Sequence, residues 1–175
     1  MNSPSDEYER FIRPIESQII RSVWRITQNS NDAEDAFQEA MTQIWEQLPR
    51  LRAHPNPTAL VLRICTNVAC DAVRRKLRRD HRERSRNAAE ADSTARDGTA
   101  AVLDSERRDQ VQGAIARLPE QQATAVSMRF LLSCSYEEIA QALDCAEPTA
   151  RVHVMRGLSR LRSLLTNHSP STTLE

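Results

Sequence analysis

The 175-residue sequence has little glycine and few aromatic side chains: three Gly, two Trp, two Tyr and three Phe. Sheet proteins rely on aromatic and β-branched residues in their strands and on glycine in their turns. Alanine, arginine, glutamate, glutamine and leucine, which favour helices, are abundant instead. The composition therefore predicts an all-α protein.

Long apolar runs are also missing. No stretch approaches the roughly 18 apolar residues that a membrane-spanning helix needs. The first ten residues, MNSPSDEYER, lack the basic start and apolar stretch of a secretory signal. We therefore expect a cytoplasmic protein without membrane insertion.

Motifs for metal binding and catalysis are absent from the sequence. Its four cysteines form no C-x-x-C pair, so we expect reduced thiols that fill core positions and no metal site. There is no glycine-rich phosphate loop and no H-E-x-x-H, and the histidines are scattered. The chain is predicted to need no cofactor and not to be an enzyme. The cysteines are Cys65, Cys70, Cys134 and Cys145, and the histidines are His54, His81, His153 and His168.

The net charge is zero, with 24 basic and 24 acidic residues, but the signs are sorted along the chain. Residues 1–47 carry a net charge of −5, residues 48–86 carry +8 and residues 87–110 carry −3. Charge runs are often simple solvated faces. Sorting of this strength also suits two partners, a basic surface for the acidic start and a polyanion for the basic middle.

Helical periodicity runs through the first 80 residues. Pro14 predicts a kink or a helix start in the first amphipathic stretch. Asn31 and Glu34 are predicted to cap the next helix, whose apolar face continues to Leu48. The proline-rich residues 48–57 are predicted to be a loop, and a third helix should run from there to about Arg79.

A polar stretch of small residues follows, without a sustained apolar period. Such a composition buries too little surface to offset the loss of chain entropy, so it predicts a flexible linker. The two domains are therefore expected to move independently. The predicted division is a domain over residues 1–80, a linker over 81–105, a second domain over 106–168 and a disordered tail over 169–175.

The second domain ends in a helix-turn-helix pattern. Ser135 and Glu138 form a predicted capping box, and Asp144 opens a three-residue turn before the last helix. That helix carries four arginines and no acid after Pro148, which favours DNA binding in the major groove. Its predicted apolar face is Ala150, Val154, Gly157, Leu158, Leu161 and Leu165. The residues expected outside are Arg151, Val152, His153, Met155, Arg156, Arg160 and Arg162.

The basic helix of the first domain has a different pattern. Its dense positive end suits phosphates, and a polar stripe lies upstream beside the proline-rich segment. Such a stripe could receive unstacked bases of a single strand, although a solvated amphipathic face would look the same. The positive end is Arg74, Arg75, Lys76, Arg78 and Arg79, and the stripe is Arg63, Asn67 and Asp71.

Three segments of the sequence together resemble one known protein family. Residues 32–39 (DAEDAFQE) with Ile44-Trp45 resemble the polymerase-binding helix of sigma-70 family factors. Residues 60–67 (LVLRICTN), with Asp71 and Arg74-Arg75, resemble the family's helix for promoter melting and the minus-ten element. Leu118-Pro119-Glu120, residues 135–140 (SYEEIA) and residues 149–156 resemble its minus-thirty-five helix-turn-helix. The length and the direct linker are similar to those of the extracytoplasmic-function (ECF) subfamily.

The resemblance implies a transcription initiation factor with three sets of contact residues. The polymerase-binding set is Asp32, Glu34, Asp35, Gln38, Glu39 and Trp45. The minus-ten set is Leu60, Arg63, Asn67, Asp71, Arg74, Arg75 and Arg78. The minus-thirty-five set is Thr149, Arg151, Val152, His153, Met155, Arg156 and Arg160.

The resemblance also implies partners: the clamp helices of the largest subunit and the beta flap of core RNA polymerase, promoter DNA, and an anti-sigma factor. The sequence departs from the family at three positions. Leu60 stands where the family usually has Trp, Asp144 where it has Gly, and His153 where it commonly has Arg. A stand-alone helix-turn-helix repressor is the alternative, and it leaves the acidic helix and the Asn67 stripe unexplained.

Overall fold

The computed structural model describes residues 4–87 and 100–166, which we call the N-terminal half and the C-terminal half. All regular structure in these residues is helical, which confirms the predicted fold class. The N-terminal half contains α1 (Pro4–Phe11), a 3₁₀ turn (Arg13–Ile15), α2 (Glu16–Thr27), α3 (Ser30–Glu46), α4 (Leu48–Ala53) and α5 (Pro57–Asn87). The C-terminal half contains α6 (Ala100–Ala116), α7 (Glu120–Phe130), α8 (Tyr136–Ala142) and α9 (Glu147–Thr166).

Helices α2, α3 and α5 pack against one another around a core that includes Ile19, Val23 and Ile44. The 3₁₀ turn at Pro14 gives the predicted break in the first amphipathic stretch. The predicted cap of α3 is wrong by two residues. Asn29 is the N-cap, because its side-chain oxygen accepts a hydrogen bond from the Asp32 N–H at 3.0 Å.

The proline-rich segment is not a loop throughout, because its first part forms the short helix α4. Proline is tolerated in the first turn of a helix, where its missing N–H would have no partner. Leu51 anchors α4 in the core, and Arg52 binds Glu7 at 2.8 Å. Glu7 is almost fully buried, so this arginine compensates a carboxylate that lies away from water.

Helix α5 is the central element and contacts α2, α3 and α4 as well as three helices of the C-terminal half. It begins as predicted, with the Asn56 side chain accepting a hydrogen bond from the Ala59 N–H at 3.0 Å. It ends at Asn87 rather than near Arg79, so residues 81–87 of the predicted linker are helical. Leu60 is only 1% exposed and packs in the core.

The C-terminal half contains the predicted helix-turn-helix in α8 and α9. The Ser135 hydroxyl accepts a hydrogen bond from the Glu138 N–H, and the Glu138 carboxylate accepts one from the Ser135 N–H. This confirms the predicted capping box. Asp144 has a φ of 51°, a backbone conformation that asparagine and aspartate adopt more easily than most residues. On α9 the predicted inward position of Leu158 is wrong, because that side chain is exposed.

The two halves pack against each other and share one continuous apolar core. This arrangement differs from the predicted independent domains. Helix α6 starts at Ala100, so it takes in the end of the predicted linker. The remainder of that linker and the predicted tail over 169–175 lie outside the described residues.

Within the described helices, none combines the length and the apolar character that crossing a bilayer requires.

Candidate nucleic-acid and protein interfaces

The start of α9 holds one arginine in a defined position. The Arg151 guanidinium binds the Glu147 carboxylate one turn earlier and lies 4.4 Å from the centroid of the Tyr136 ring. Arg129 lies 4.8 Å from the same centroid. Stacking and ion pairing limit the conformations that the Arg151 side chain samples. Arg151 is therefore presented at the surface in a restricted orientation.

The outer face of α9 next to Arg151 is exposed to solvent. Met155 is 68% exposed and Val152 is 40% exposed. Arg156 and Arg160 are also exposed, while His153 is half-buried. Apolar and arginine side chains side by side suit thymine methyl groups and guanine edges in a major groove. Thr149 is exposed at the start of the same helix.

The polar stripe of α5 lies against the C-terminal half. Asn67 Nδ2 donates to the Glu120 carboxylate at 3.0 Å, and its Oδ1 accepts from the Thr124 hydroxyl at 2.5 Å. Both partners belong to the first turns of α7. The amide of Asn67 is therefore occupied on both its donor and its acceptor side.

Arg63 of the stripe and Arg74 of the positive end donate to backbone carbonyls at or just after helix ends. Arg63 Nη1 donates to the Ala142 carbonyl at 2.8 Å, at the end of α8. Arg74 donates to the carbonyls of Ala116 at 2.9 Å and Leu118 at 3.0 Å, at the end of α6. The last carbonyls of a helix lack intrahelical donors and carry the negative end of the helix dipole. Both arginines therefore cap helices of the opposite half.

Asp144, in the turn between α8 and α9, is a centre of charge contacts between the halves. Its carboxylate accepts a hydrogen bond from Arg50 at 2.6 Å and lies 3.7 Å from Arg63 Nη1. His54 Nε2 lies 3.7 Å from the same carboxylate. Beside it, Asn56 Nδ2 donates to the Gln141 side chain at 2.7 Å. The turn of the helix-turn-helix thus docks on α4 and the start of α5.

A further group of contacts between the halves consists of side chains that donate to main-chain carbonyls. Gln112 Nε2 donates to the carbonyls of Ile26 and Thr27, both at 2.7 Å, at the end of α2. Arg25 Nη1 donates to the Leu131 carbonyl at 2.6 Å, just after α7. The sequence analysis did not identify these residues as interface residues. Their partners are main-chain atoms about 85 to 106 positions away, which leave no signal in a local pattern.

The acidic face of α3 and the basic end of α5 neutralise each other in part. Arg75 binds Glu39 at 2.6 Å, and Lys76 binds Asp32 at 2.9 Å. The hydrogen bonds that Arg75 donates to the Glu39 carboxylate raise the pKa of its guanidinium above its ordinary value. Arg78, by contrast, is exposed, and it lines a cleft beside these pairs. Asp71 is exposed and binds Arg74 within its own helix.

The other predicted polymerase-binding residues remain accessible. Glu34, Asp35 and Gln38 are exposed on α3, and Trp45 is half-buried near its end. A shallow apolar groove lies beside them on α2, where Ile20 and Trp24 are each 51% exposed. The sequence analysis missed these two residues. Their four-residue spacing beside the buried stripe of α2 is the signal that could have revealed an exposed apolar patch.

Leu60 is the one member of the predicted minus-ten set whose side chain is buried in the core. Its side chain is buried beneath the outer face of α5, so in this arrangement it cannot wedge an opened duplex. Of the other members, Arg63, Asn67 and Arg74 face the C-terminal half, and Arg75 faces α3.

Two family models match the chain. One, described as sigma-70 region 2, matches residues 11–79. The other, described as sigma-70 region 4, matches residues 108–161. The first covers α2 to α5, with the acidic face and the polar stripe, and the second covers the helix-turn-helix.

Proteins to which the chain is similar include ECF sigma factors of two bacteria. The ECF RNA polymerase sigma factor SigE of Mycolicibacterium smegmatis is 27% identical over 165 residues, 94% of this chain and 64% of that protein. The ECF sigma factor SigW of Bacillus subtilis is 23% identical over 91% of this chain and 89% of its own length. A co-crystal structure of the sigma factor RpoE with the anti-sigma factor NepR from Bartonella quintana has a TM-score of 0.49 and 18% identity, covering 93% of this chain and 98% of that one. With both family models matched in order along one chain, and together covering most of it, this protein belongs to the sigma-70 family, and the relatives named above include ECF sigma factors.

Proposed function

We propose that the chain binds core RNA polymerase and directs promoter-specific transcription initiation. In this role α9 reads the minus-thirty-five element, and the N-terminal half recognises and melts the minus-ten element. The observation that carries the proposal is the outer face of α9, where Arg151, Val152, Met155 and Arg156 form one exposed surface. A helix of this kind, second in a helix-turn-helix, is the element that enters a major groove.

The proposed contacts with the minus-ten element require the two halves to separate. We call the arrangement in which the two halves pack against each other the closed arrangement. In it, Arg63, Asn67 and Arg74 form hydrogen bonds with the C-terminal half. A base or phosphate can reach these side chains only after the bonds are exchanged. The α9 surface, in contrast, is exposed in the same arrangement. We therefore infer that the closed chain offers its minus-thirty-five surface to DNA, whereas Arg63, Asn67 and Arg74 of the minus-ten set are engaged by the C-terminal half.

The proposed polymerase-binding surface is the exposed part of α3. Glu34, Asp35 and Gln38 present acidic and polar groups there, with Trp45 at the edge. A basic or polar surface such as the clamp helices would complement them. The C-terminal half would sit on the beta flap. An anti-sigma factor remains a proposed partner, and the cytoplasm, where core polymerase and promoter DNA meet, is the proposed location.

The proposed activity is binding rather than catalysis. In the part of the chain that the structure describes, no cluster of three or more His, Cys, Asp or Glu side chains could hold a metal ion. The buried thiols also lack the low pKa of catalytic cysteines, because burial raises the pKa of Cys65 to about 12 and that of Cys70 to about 11. We propose that the chain acts by placing polymerase on DNA and needs no cofactor.

The decisive experiment compares the chain with and without core polymerase. We expect promoter protection and permanganate-reactive thymines only when both proteins are present. A repressor would instead protect a two-fold operator on its own, without polymerase. Protection of duplex DNA by the chain alone, unchanged by polymerase, would refute the sigma-factor role.

A matched pair of variants tests the α3 surface in the same assay. Asp35→Lys reverses an exposed charge of the proposed polymerase-binding surface. Asp6→Lys reverses an acidic residue of α1, outside that surface. We expect loss of association with core polymerase for Asp35→Lys and retention for Asp6→Lys. Equal association of both variants would remove the surface from the proposal.

A further inference from the structure

A cavity of about 280 Å³ lies between the two halves. One wall comes from the N-terminal half, with Ile26 of α2 and Cys70 and Val73 of α5. The other wall comes from the C-terminal half, with side chains of α6 and with Leu131 after α7. The residues of this second wall are Val111, Ile115, Ala116 and Leu131.

The cavity combines apolar walls with a positive rim. Arg25, Arg107 and Arg108 line it together with Gln28 and Gln112, and none of the described lining residues is acidic. Arg25 uses one nitrogen for the Leu131 carbonyl, which places its guanidinium where the two halves meet. An apolar site lined by three arginines and no described acidic residue complements an anion that carries an apolar chain.

We propose that this cavity binds an amphiphilic carboxylate, specifically a medium-chain fatty acid. Its hydrocarbon chain would lie between Val73 and Val111, and its carboxylate would lie at the arginines. Small-molecule pockets usually measure about 300–1,000 Å³, so a cavity of this size suits one short chain rather than a large ligand. Arginine is the residue that binds carboxylates in bidentate geometry.

The position of the cavity gives the ligand a regulatory effect. Both halves form its walls, so the site exists only in the closed arrangement. A ligand that binds one state of an equilibrium shifts the population toward that state. The fatty acid would therefore hold the chain closed, with Arg63, Asn67 and Arg74 turned away from DNA. This regulatory effect, unlike the binding itself, rests on the proposed sigma-factor function.

Calorimetry on the full chain with sodium decanoate, below its micelle concentration, tests the binding. We expect saturable binding at one site. Decylamine, which has the same chain and a positive head, and acetate, which lacks the chain, should not bind. Absence of decanoate binding, or equal binding of decylamine, would overturn the proposal.

Matched variants place the ligand in the cavity. Val111→Trp fills the cavity from a residue that is 39% exposed, and Leu77→Trp adds the same ring at a position on α5 that is 38% exposed and outside the cavity. We expect the first variant to lose binding and the second to keep it. Combined Arg107→Gln and Arg108→Gln should weaken binding about tenfold, which corresponds to about 1.4 kcal/mol, whereas Arg162→Gln should not. Equal binding by all variants would exclude this site.

The order of addition tests the regulatory effect. Decanoate added to the chain before polymerase should reduce open-complex formation, and decanoate added after holoenzyme assembly should not. Inhibition in Val111→Trp equal to that in the unmodified chain would overturn the regulatory claim. A chain that binds decanoate but never supports transcription would instead contradict the proposed function, because calorimetry does not involve polymerase.

Discussion

At the scale of single residues, Arg151 is held in a restricted orientation before it makes the contact with DNA that we propose. Glu147 pairs with its guanidinium, and the Tyr136 ring packs against one of its faces. Long arginine side chains lose conformational freedom when they bind, and part of that loss is already incurred here. Arg156 is exposed one and a half turns later on the same helix. Arg151 is therefore the better candidate for a base-specific contact.

The loss of Arg151 should relax sequence preference rather than abolish binding. If the guanidinium contacts one guanine, Arg151→Ala should cost about 1–3 kcal/mol at one base pair of the minus-thirty-five element and little at the others. Arg162→Ala, which removes an exposed arginine near the end of α9, is the control and should lower affinity similarly for all sequences. Holoenzyme affinities on single-base promoter variants measure both effects. A uniform loss with Arg151→Ala would show that it contacts phosphate.

The buried thiols of α5 predict a decline of stability at alkaline pH. Burial raises the pKa of Cys65 from 9.0 to about 12 and that of Cys70 to about 11. The unfolded thiols ionise first, so their contribution is complete below pH 9 and is lost as the pH rises toward these folded-state values. Urea unfolding at pH 8 and pH 10.5 should show a smaller decline in Cys65→Ala than in the unmodified chain. Cys145→Ala, at a less buried thiol, should keep most of the decline.

At the scale of the elements, the close contact of α7 with α9 depends on one glycine. A Cβ at Gly157 would lie 2.6 Å from Val126 Cγ2 and 3.3 Å from the Gln122 carbonyl. We expect Gly157→Ala to destabilise the fold by about 1–3 kcal/mol, because the helices must move apart. Gly113→Ala is the control, since nothing lies within 4 Å of its added Cβ, and it should stabilise α6 by about 0.5–1 kcal/mol. Chemical unfolding measures both, and equal effects would contradict the packing argument.

The elements also show what the sequence could predict. The caps at Asn56 and at Ser135 with Glu138 depend on groups three residues apart, so a local pattern contains them. Helix α4 was missed because prolines usually indicate a loop, and here Pro49 occupies the first turn, where it is tolerated.

The orientation of Arg63 and Arg74 on α5 was missed for a different reason. The local sequence around Arg63 and Arg74 does not reveal whether these side chains face water, DNA or the end of another helix. Their partners are carbonyls 42 to 79 residues away, and any residue type supplies a carbonyl. The three contact sets remain predictions at the level of single residues. Leu60 is the exception, since its burial contradicts a place at the surface.

At the scale of the whole molecule, the closed arrangement competes with the proposed function for the same side chains. Helix ends of the two halves cap each other through Arg25, Arg63, Arg74 and Gln112. Each such bond exchanges with water or DNA on opening, so its net contribution is about 0.5–1.5 kcal/mol, or somewhat more for charged donors. Several bonds of this size can hold the halves together and still yield to a large partner such as polymerase.

Substitution of Asp144 tests the equilibrium between the closed arrangement and one in which the two halves are separated. Its carboxylate contacts Arg50, Arg63 and His54, and its φ of 51° suits glycine, so Asp144→Gly removes the charge without straining the turn. We expect the variant to open more often. It should show a larger radius of gyration in X-ray scattering and bind single-stranded minus-ten DNA more tightly in the absence of polymerase.

Ser133→Gly is the matched control for this prediction. Ser133 also has a positive φ, of 59°, at an exposed position, and it is not one of the charged partners of Asp144, which are Arg50, Arg63 and His54. The substitution relieves the same backbone conformation without removing a charge between the halves, so scattering and DNA binding should stay as in the unmodified chain. Asp144→Asn, which keeps the side-chain shape and tolerates the turn, should give an intermediate result because only the charge is lost. If Asp144→Gly and Ser133→Gly behave alike, the contacts of Asp144 do not hold the halves together, and the masking of Asn67 must depend on the shared apolar core instead.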